Sequence, residues 1–143
     1  MYDAMDIAEY VLDYCENTLK EPITNLQLQK FLYYIQGGFI SKTGSIIFDN
    51  KIEAWQYGPV IPDVYYWFNK FISEPIINVK SSVKLDKNEE KIIKEIVSDK
   101  IKIDAWKLVS QVHEELPWKR NYSPNSKFEI TVEDLKEFFK KEN

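Results

Sequence analysis

Side chains able to do covalent chemistry are few in this chain, and they do not form a known catalytic pattern. The sequence holds one histidine, His113, and one cysteine, Cys15. Nucleophilic catalysis needs a nucleophile, a base within reach and a group that orients the base. Ser110 lies one helical turn before His113, but this spacing supplies no orienting group. A small hydrolase that uses His113 is an alternative for which the sequence names no substrate, and a structural or interface role is favoured.

Metal and nucleotide sites are also disfavoured by the pattern. A metal site needs several converging ligands, whereas Glu114 and Glu115 beside His113 point in different directions from a helix. Gly37 and Gly38 lie inside or at the end of a predicted helix, so they do not form a glycine-rich loop that leads into one. Cys15 falls on an apolar helical stripe and is predicted to be core. The sequence therefore predicts no catalytic residue, no metal and no cofactor.

The charge pattern disfavours nucleic acid as a partner. The net charge is -4, and Arg120 is the one arginine among 19 basic residues. The guanidinium group that reads guanine edges and clamps phosphates is therefore nearly missing. The first two predicted helices could imitate a helix-turn-helix, but the second offers only Lys30 near its start. A nucleic-acid-binding regulator of its own operon remains the alternative function.

Other features predict a cytoplasmic protein with no membrane partner. One cysteine excludes an internal disulfide, and the start of the chain shows no signal-peptide pattern. The longest apolar stretch, around residues 31–40, is interrupted by Gln36 and two glycines and is too short to cross a bilayer. We expect residues 1–143 to fold as one domain.

Hydrophobic periodicity and capping residues predict a mainly helical α+β domain. The pattern indicates five or six helices around a buried central one, with a small antiparallel β element. The predicted helices start near Asp3, Thr24, Pro62, Asp86, Asp104 and Thr131. The first extends to about Leu19, the second to about Ser41, the third to about Phe71, and the fifth ends at Pro117, before an irregular stretch over 118–127. The acidic face of the first helix, Asp3, Asp6, Glu9, Asp13 and Glu16, is interpreted as solvated.

Two short β pairs are also predicted. Residues 46–48 and 52–55 favour strands and are separated by a polar turn, which suggests a hairpin. Residues 76–79 and 83–85 suggest another pair. The segment from Tyr57 to Pro62 is predicted to be a rigid turn, and Gly37-Gly38 to allow a close backbone approach or a kink.

Aromatic residues form 15% of the chain, which is more than a core of this size needs. Tyrosine and tryptophan anchor protein interfaces because they bury a large area at low entropic cost and keep a polar atom. The alternative is that most of them pack the core. The aromatic residues that raise this question are Tyr33, Tyr34, Trp55, Tyr57, Tyr65, Tyr66, Trp67 and Trp118.

Two sequence blocks carry a family resemblance. They read ITNLQLQKFLYYIQGGFI over residues 23–40 and KIEAWQYGPVIPDVY over residues 51–65, with a looser match in SQVHEELPW over residues 110–118. With these blocks the chain resembles the Panacea antitoxin domain family, which includes SocA-like antitoxins and phage-associated GepA-like proteins. The resemblance covers nearly the whole chain.

The resemblance implies a bacterial or phage antitoxin that is no enzyme. Such a protein neutralises a cognate protein toxin, encoded by an adjacent gene, by binding it directly. The family pairs with toxins of unrelated folds, and a SocA-like branch delivers its toxin to a AAA+ protease, so a proteolytic adaptor role is a further implication.

The resemblance also suggests which residues to examine. Gln29 and Tyr33, together with the acidic face of the first helix, are the foremost candidates for touching a partner. The residues assigned to partner binding are Gln29, Lys30, Tyr33, Tyr34, Gln36, Tyr57, Tyr65 and His113. The residues assigned to a structural motif are Trp55, Gly58, Pro59 and Trp118, and Glu53 also matches the second block.

Overall fold

A computed structural model of the chain describes residues 1–140. It confirms a mainly helical fold with a small antiparallel sheet, and its described part has seven α-helices rather than five or six. The helices are α1 (Ala4–Asp13), α2 (Asn25–Thr43), α3 (Pro62–Trp67), α4 (Lys87–Lys100), α5 (Ala105–His113), α6 (Leu116–Asn121) and α7 (Val132–Phe138). The strands are β1 (Ile52–Trp55), β2 (Gly58–Val60) and β3 (Glu129–Ile130), in the order β2-β1-β3.

Helix α2 is the central helix, as predicted. It begins with the predicted capping box, in which Thr24 and Gln27 each bind the backbone amide of the other, and it ends at Gly44 in a left-handed conformation. Buried residues surround its whole circumference, because α1, α3, α4, α5, α7 and β2 all pack against it. A helix covered on every side must satisfy its polar side chains internally, and this requirement shapes the site described below.

The first predicted helix is confirmed over its full length, although its last turn is wider than an α-helix. Helix α1 continues into a π-helical turn, Tyr14–Thr18, and the apolar stripe from Ala4 to Cys15 is buried. The acidic face is less solvated than predicted. Asp13 accepts a hydrogen bond from the amide of Ser81 at 3.0 Å, and this bond holds the pKa of its carboxyl below the usual value.

The predicted hairpin of residues 46–48 with residues 52–55 is wrong, because the second segment pairs with other strands. Strand β1 pairs with β2 and β3, whereas residues 46–48 form no strand with it, and Phe48 makes an isolated bridge to Tyr2. The reason is that the side-chain amide of Gln36 occupies the backbone groups of Ile47 and Phe48. The segment predicted as a rigid turn instead supplies β2, where Pro59 is tolerated because β2 is an edge strand.

The second predicted strand pair, at residues 76–79 and 83–85, is not formed. Amides of this segment bind to the first part of the chain instead of to each other. Ile76 donates to the carbonyl of Ile23, and Asn78 donates to the carboxylate of Glu16. The segment is therefore held to earlier parts of the chain by these hydrogen bonds and forms no strand ladder.

Pro117 starts a helix rather than ending one. Helix α5 stops at His113, and Pro117 lies in the first turn of α6, so the first four residues of the region predicted as irregular over 118–127 are helical. Proline is accepted there because the first amides of a helix have no intrahelical partner.

The glycine pair in α2 does allow the close approach that was predicted. A Cβ atom on Gly37 would lie 2.5 Å from the ring of Phe139, which follows α7, and one on Gly38 would meet Ile96 of α4. Helix α2 runs through both positions without interruption. In the part of the chain that the structure describes, no helix combines the length and the apolar character needed to cross a membrane.

Gln36 should be essential to the stability of this packing. Its amide donates to the carbonyl of Phe48 at 2.6 Å and accepts from the amide of Ile47 at 2.9 Å. Gln36→Met keeps the side-chain length but leaves these buried groups without partners, and should cost about 3 kcal/mol of unfolding free energy, measured with urea. The control is Gln56→Met at the exposed β1–β2 turn, which should change the free energy little. Equal losses in both variants would contradict this role.

Candidate functional site

A cleft of about 580 Å³ opens between the start of α2, the β1–β2 hairpin, α3 with the turn after it, and the start of α5. Several residues of the two sequence blocks meet there. The lining residues are Thr24, Asn25, Leu26, Gln29, Lys30, Trp55, Gln56, Tyr57, Val60, Tyr65, Asn69, Ile72, Ser73, Ala105 and Trp106. The cleft is therefore formed by aromatic, aliphatic and uncharged polar side chains together with one lysine.

The rim of the cleft carries exposed aromatic rings that are held in place by local structure. Tyr57 is in the two-residue loop between β1 and β2 and is 48% exposed, and Trp106 is 57% exposed. Their rings meet edge to face at a centroid distance of 5.4 Å. Asp104 caps α5 by accepting hydrogen bonds from the amides of Trp106 and Lys107. Because of this cap, Trp106 is fixed in the first helical turn beside the hairpin.

Gln29 connects α2 to the wall of the cleft. Its side-chain oxygen accepts a hydrogen bond from the amide of Ile61 at 2.8 Å, and its nitrogen donates to Asn25 at 2.9 Å. Asn25 in turn donates to the carbonyl of Tyr65 at 3.1 Å. The two amide side chains therefore fix the strand end and the start of α3, and with them the position of the Tyr65 ring.

Lys30 lies in the floor of the cleft and is 1% exposed. Its Nζ donates a hydrogen bond to the carbonyl of Pro59 at 2.9 Å. Burial lowers the pKa of this amine from 10.5 to about 7, because the surroundings disfavour the charged form.

Gly58 makes room for the lysine side chain. It has a φ of +114°, and a Cβ atom there would lie 2.7 Å from Cε of Lys30 and 2.8 Å from Val112. The leucine-glutamine-lysine block of α2 and the tyrosine-glycine-proline block of the hairpin are therefore two halves of one contact. This contact supports the assignment of Gly58 and Pro59 to a structural motif.

Tyr33 and Tyr34 face a different part of the molecule, away from the cleft. Their hydroxyls donate to the two carboxylate oxygens of Glu115 at 2.9 and 2.8 Å, and Gln111 donates to Tyr34. Burial raises the pKa of both tyrosines and of Glu115, and the proximity of Glu115 raises the tyrosine values further. Lys100 lies over the Tyr34 ring, 4.1 Å from its centroid. The cluster attaches the segment between α5 and α6 to α2.

His113 takes part in an aromatic stack rather than in a catalytic pair. Its ring stacks on Trp118 at a centroid distance of 4.0 Å, and its Nε2 is 2.9 Å from the carbonyl oxygen of Gln56. Ser110 donates its hydroxyl to the carbonyl of Trp106, so it does not pair with His113. Trp118 donates to the carbonyl of Trp55 at 2.7 Å. Both rings therefore support the hairpin from beneath.

The sequence-predicted residues thus fall into two sets that share Gln29 and Lys30. Gln29, Lys30, Tyr57 and Tyr65 meet at the cleft together with Trp55. The structure buries the side chains of Gln29, Lys30, Tyr33, Tyr34 and Gln36, which contact other parts of the same chain. Gln29 and Tyr33 were the foremost candidates for direct contact, yet Tyr33 is 0% exposed. A role of these residues in partner binding remains a prediction. Because they are buried, they would act on a partner indirectly, by positioning the exposed residues of the cleft.

Sequence reasoning missed two cleft residues that the structure brings forward. Trp106 is the second residue after the cap Asp104 and lies off the apolar stripe of α5. Its place off that stripe was a sequence signal that the ring is exposed. Asn25 directly follows the cap residue Thr24 and is buried, and the residue type alone gave no sign of its bond to Tyr65. Within residues 1–140 the structure gathers no group of three His, Cys, Asp or Glu side chains that could hold a metal.

Substitution of Gly58 should disturb the Lys30 contact directly. Gly58→Ala adds a methyl group to a backbone with positive φ and against two side chains. We expect a loss of about 3 kcal/mol of unfolding free energy from backbone strain and overpacking together. Gly44→Ala is the control, because Gly44 also has a positive φ but lies at the opposite end of α2 from Lys30. A loss in Gly58→Ala no greater than in Gly44→Ala would show that the lysine contact is not tight.

The buried lysine should also make stability depend on pH. Its folded pKa of about 7 lies below the ordinary 10.5. Between these values the unfolded chain holds a proton that the folded chain lacks, so the unfolding free energy should rise with pH, by at most about 1.4 kcal/mol per unit. Urea unfolding at several pH values between neutrality and pH 9 measures this slope. In Lys30→Met the rise should be smaller, and parallel curves for the two proteins would contradict the burial of a titrating amine.

Comparisons with known proteins agree on one family. The family model described as "Antitoxin SocA-like, Panacea domain" matches residues 28–119, which is more than half of the chain and includes the Lys30–Pro59 contact. The chain is also 41% identical over 76 residues to the protein named Antitoxin SocA from Caulobacter vibrioides (strain NA1000 / CB15N). That match covers 53% of this chain and 40% of the relative, so the chain spans less than half of the relative's length. No solved structure matches. The chain therefore belongs to the Antitoxin SocA-like, Panacea domain family.

Proposed function

We propose that this chain is an antitoxin that neutralises a cognate protein toxin, encoded by an adjacent gene, by direct binding in the cytoplasm. It acts by binding rather than by catalysis. The family membership and the match to a protein named as an antitoxin support this role. The single observation that carries the binding mode is the cleft whose rim presents exposed aromatic rings.

The rim has the chemistry of a protein-binding surface. Tyr57 and Trp106 combine large apolar area with polar atoms, and both rings are held by the backbone contacts described above. Ile72, which lines the cleft after α3, is exposed as well. Exposed rings that are already ordered lose little entropy on binding, and they are typical anchors of protein interfaces.

The proposed role includes two outcomes for the bound toxin. The antitoxin either blocks the toxin as a stable complex or, in the SocA-like manner, presents it to a AAA+ protease. In both cases the toxin must bind the same chain first. The level of the toxin in cells separates the two outcomes, because only delivery to a protease lowers it while its synthesis continues.

The test begins with the product of the neighbouring gene. Expression of that product alone should arrest growth, co-expression of this chain should relieve the arrest, and the two proteins should purify together. Persistent arrest with soluble antitoxin present would contradict the proposal.

Trp106 should contribute strongly to this binding. Trp106→Ala should weaken toxin affinity by about thirtyfold, the effect expected for an interface residue worth about 2 kcal/mol. Its melting temperature should change little, because the ring is 57% exposed. Trp67→Ala is the matched control, since Trp67 is 65% exposed but does not line the cleft. Titration calorimetry measures the affinities, and equal affinities of the two variants would place the toxin on another surface.

A further inference from the structure

The charge of the cleft differs from that of the whole protein. The chain has 23 acidic residues and a net charge of -4. None of the residues that line the cleft is acidic, and Lys30 is the charged residue among them. An acidic protein that keeps carboxylates away from one cleft and places a lysine in its floor has a site suited to an anionic group.

The amine of Lys30 is held in place and retains unused hydrogen-bonding capacity. A lysine ammonium has three N–H donors, and one of them binds the carbonyl of Pro59. The Cδ and Cε atoms of the side chain pack beside the backbone of Gly58. Within residues 1–140 no carboxylate forms an ion pair with this amine. A buried cation with no counter-ion is costly unless another molecule supplies one.

We propose that the cleft binds an extended polypeptide segment that places an Asp or Glu side chain against Lys30, while flanking apolar residues of the segment pack on Tyr57 and Trp106. The inference rests on the proposed function, because the segment belongs to the toxin.

An acidic side chain within a segment fits the cleft better than a chain terminus. The apolar groups of the rim belong to two parts of the chain: Tyr57 of the hairpin contacts Trp106 of α5, whereas Tyr65 and Ile72 lie in and after α3. A segment that crosses the cleft can cover both groups and lower one side chain to the floor. A carboxyl terminus would end at the lysine and cover one group only.

Burial makes this contact selective. Near neutral pH the amine is poised between its charged and uncharged forms, since burial lowers its pKa to about 7. An arriving carboxylate favours the charged form and supplies the missing counter-ion. A segment with an uncharged residue at that point offers no counter-ion, and the buried amine then favours its uncharged form. The lysine therefore discriminates between segments by the gain in affinity that an acid provides.

The test uses random peptides displayed on phage and selected against the purified wild-type chain. Enriched peptides should share an Asp or Glu between apolar or aromatic residues. In a synthetic copy of an enriched peptide, exchange of that acid for its amide should weaken binding by about tenfold or more. Absence of enrichment, enrichment without a shared acid, or equal binding of the acid and amide peptides would each overturn the inference.

The lysine that reads the acid is identified by a pair of variants. Lys30→Met should bind the acid and amide peptides with similar affinity. Lys107→Met, which removes an exposed charge next to Trp106, should keep the difference. A loss of discrimination in Lys107→Met alone would assign the contact to the rim instead of to the floor.

A second measurement remains decisive if Lys30→Met does not fold. In wild-type protein with 15N-labelled lysine side chains, the acid peptide should shift the Nζ signal of the buried lysine, and the amide peptide should not. Equal shifts with both peptides would contradict the pairing. None of these experiments uses the toxin, so their failure leaves the antitoxin proposal untouched, and failure of toxin binding leaves the peptide result standing.

Discussion

Two adjacent side chains of the central helix determine how the rest of the site is arranged. Gln29 binds the amide of Ile61, and Lys30 binds the carbonyl of Pro59, so successive residues of α2 fix both ends of a short stretch of backbone. A buried helix must satisfy its polar groups, and an edge strand that contains proline has few ladder bonds of its own. The side chains of α2 therefore find backbone partners, and the β2 segment gains the hydrogen bonds that it lacks as an edge strand. Glycine at position 58 leaves space for the lysine side chain to reach Pro59.

The exposed rings follow from this internal contact. Strand β2 is held against α2, the two-residue turn then projects Tyr57, and α3 begins directly after the amide that Gln29 binds. His113 and Trp118 bind the carbonyls of Gln56 and Trp55 from the other side of the hairpin. The hairpin is thus supported from both sides by side chains rather than by a large sheet. Its rings present a preformed surface, which reduces the entropy that binding would cost.

The sequence allowed the helices to be predicted well because their signals are local. The capping boxes at Thr24, Asp86 and Thr131 all form in the structure, since each depends on residues three apart. Strand pairing could not be predicted in the same way. Gln36 occupies the backbone groups that a hairpin at Ile47 would need, and a side chain eleven residues away leaves no trace in a short β-like pattern. Pro117 was ambiguous because proline both follows helices and starts them.

For the candidate site, the sequence indicated which residue types matter but did not indicate which of them are buried. Tyr57 and Tyr65 were identified from their aromatic character in a turn block, whereas the polar residues of α2 suggested exposure and are instead internal. A glutamine or lysine in a helix that is apolar all round can either face solvent or bind a buried partner. Only the tertiary contacts distinguish these two cases.

This separation between internal and exposed residues has a consequence for binding specificity. Because the block residues of α2 hold the scaffold, substitutions at Tyr57, Ile72 or Trp106 can alter the proposed binding surface without removing an internal hydrogen bond of α2. Under the proposed function, the residues that define the fold and those assigned to partner choice are therefore separate, apart from Lys30, which the proposal places in both sets.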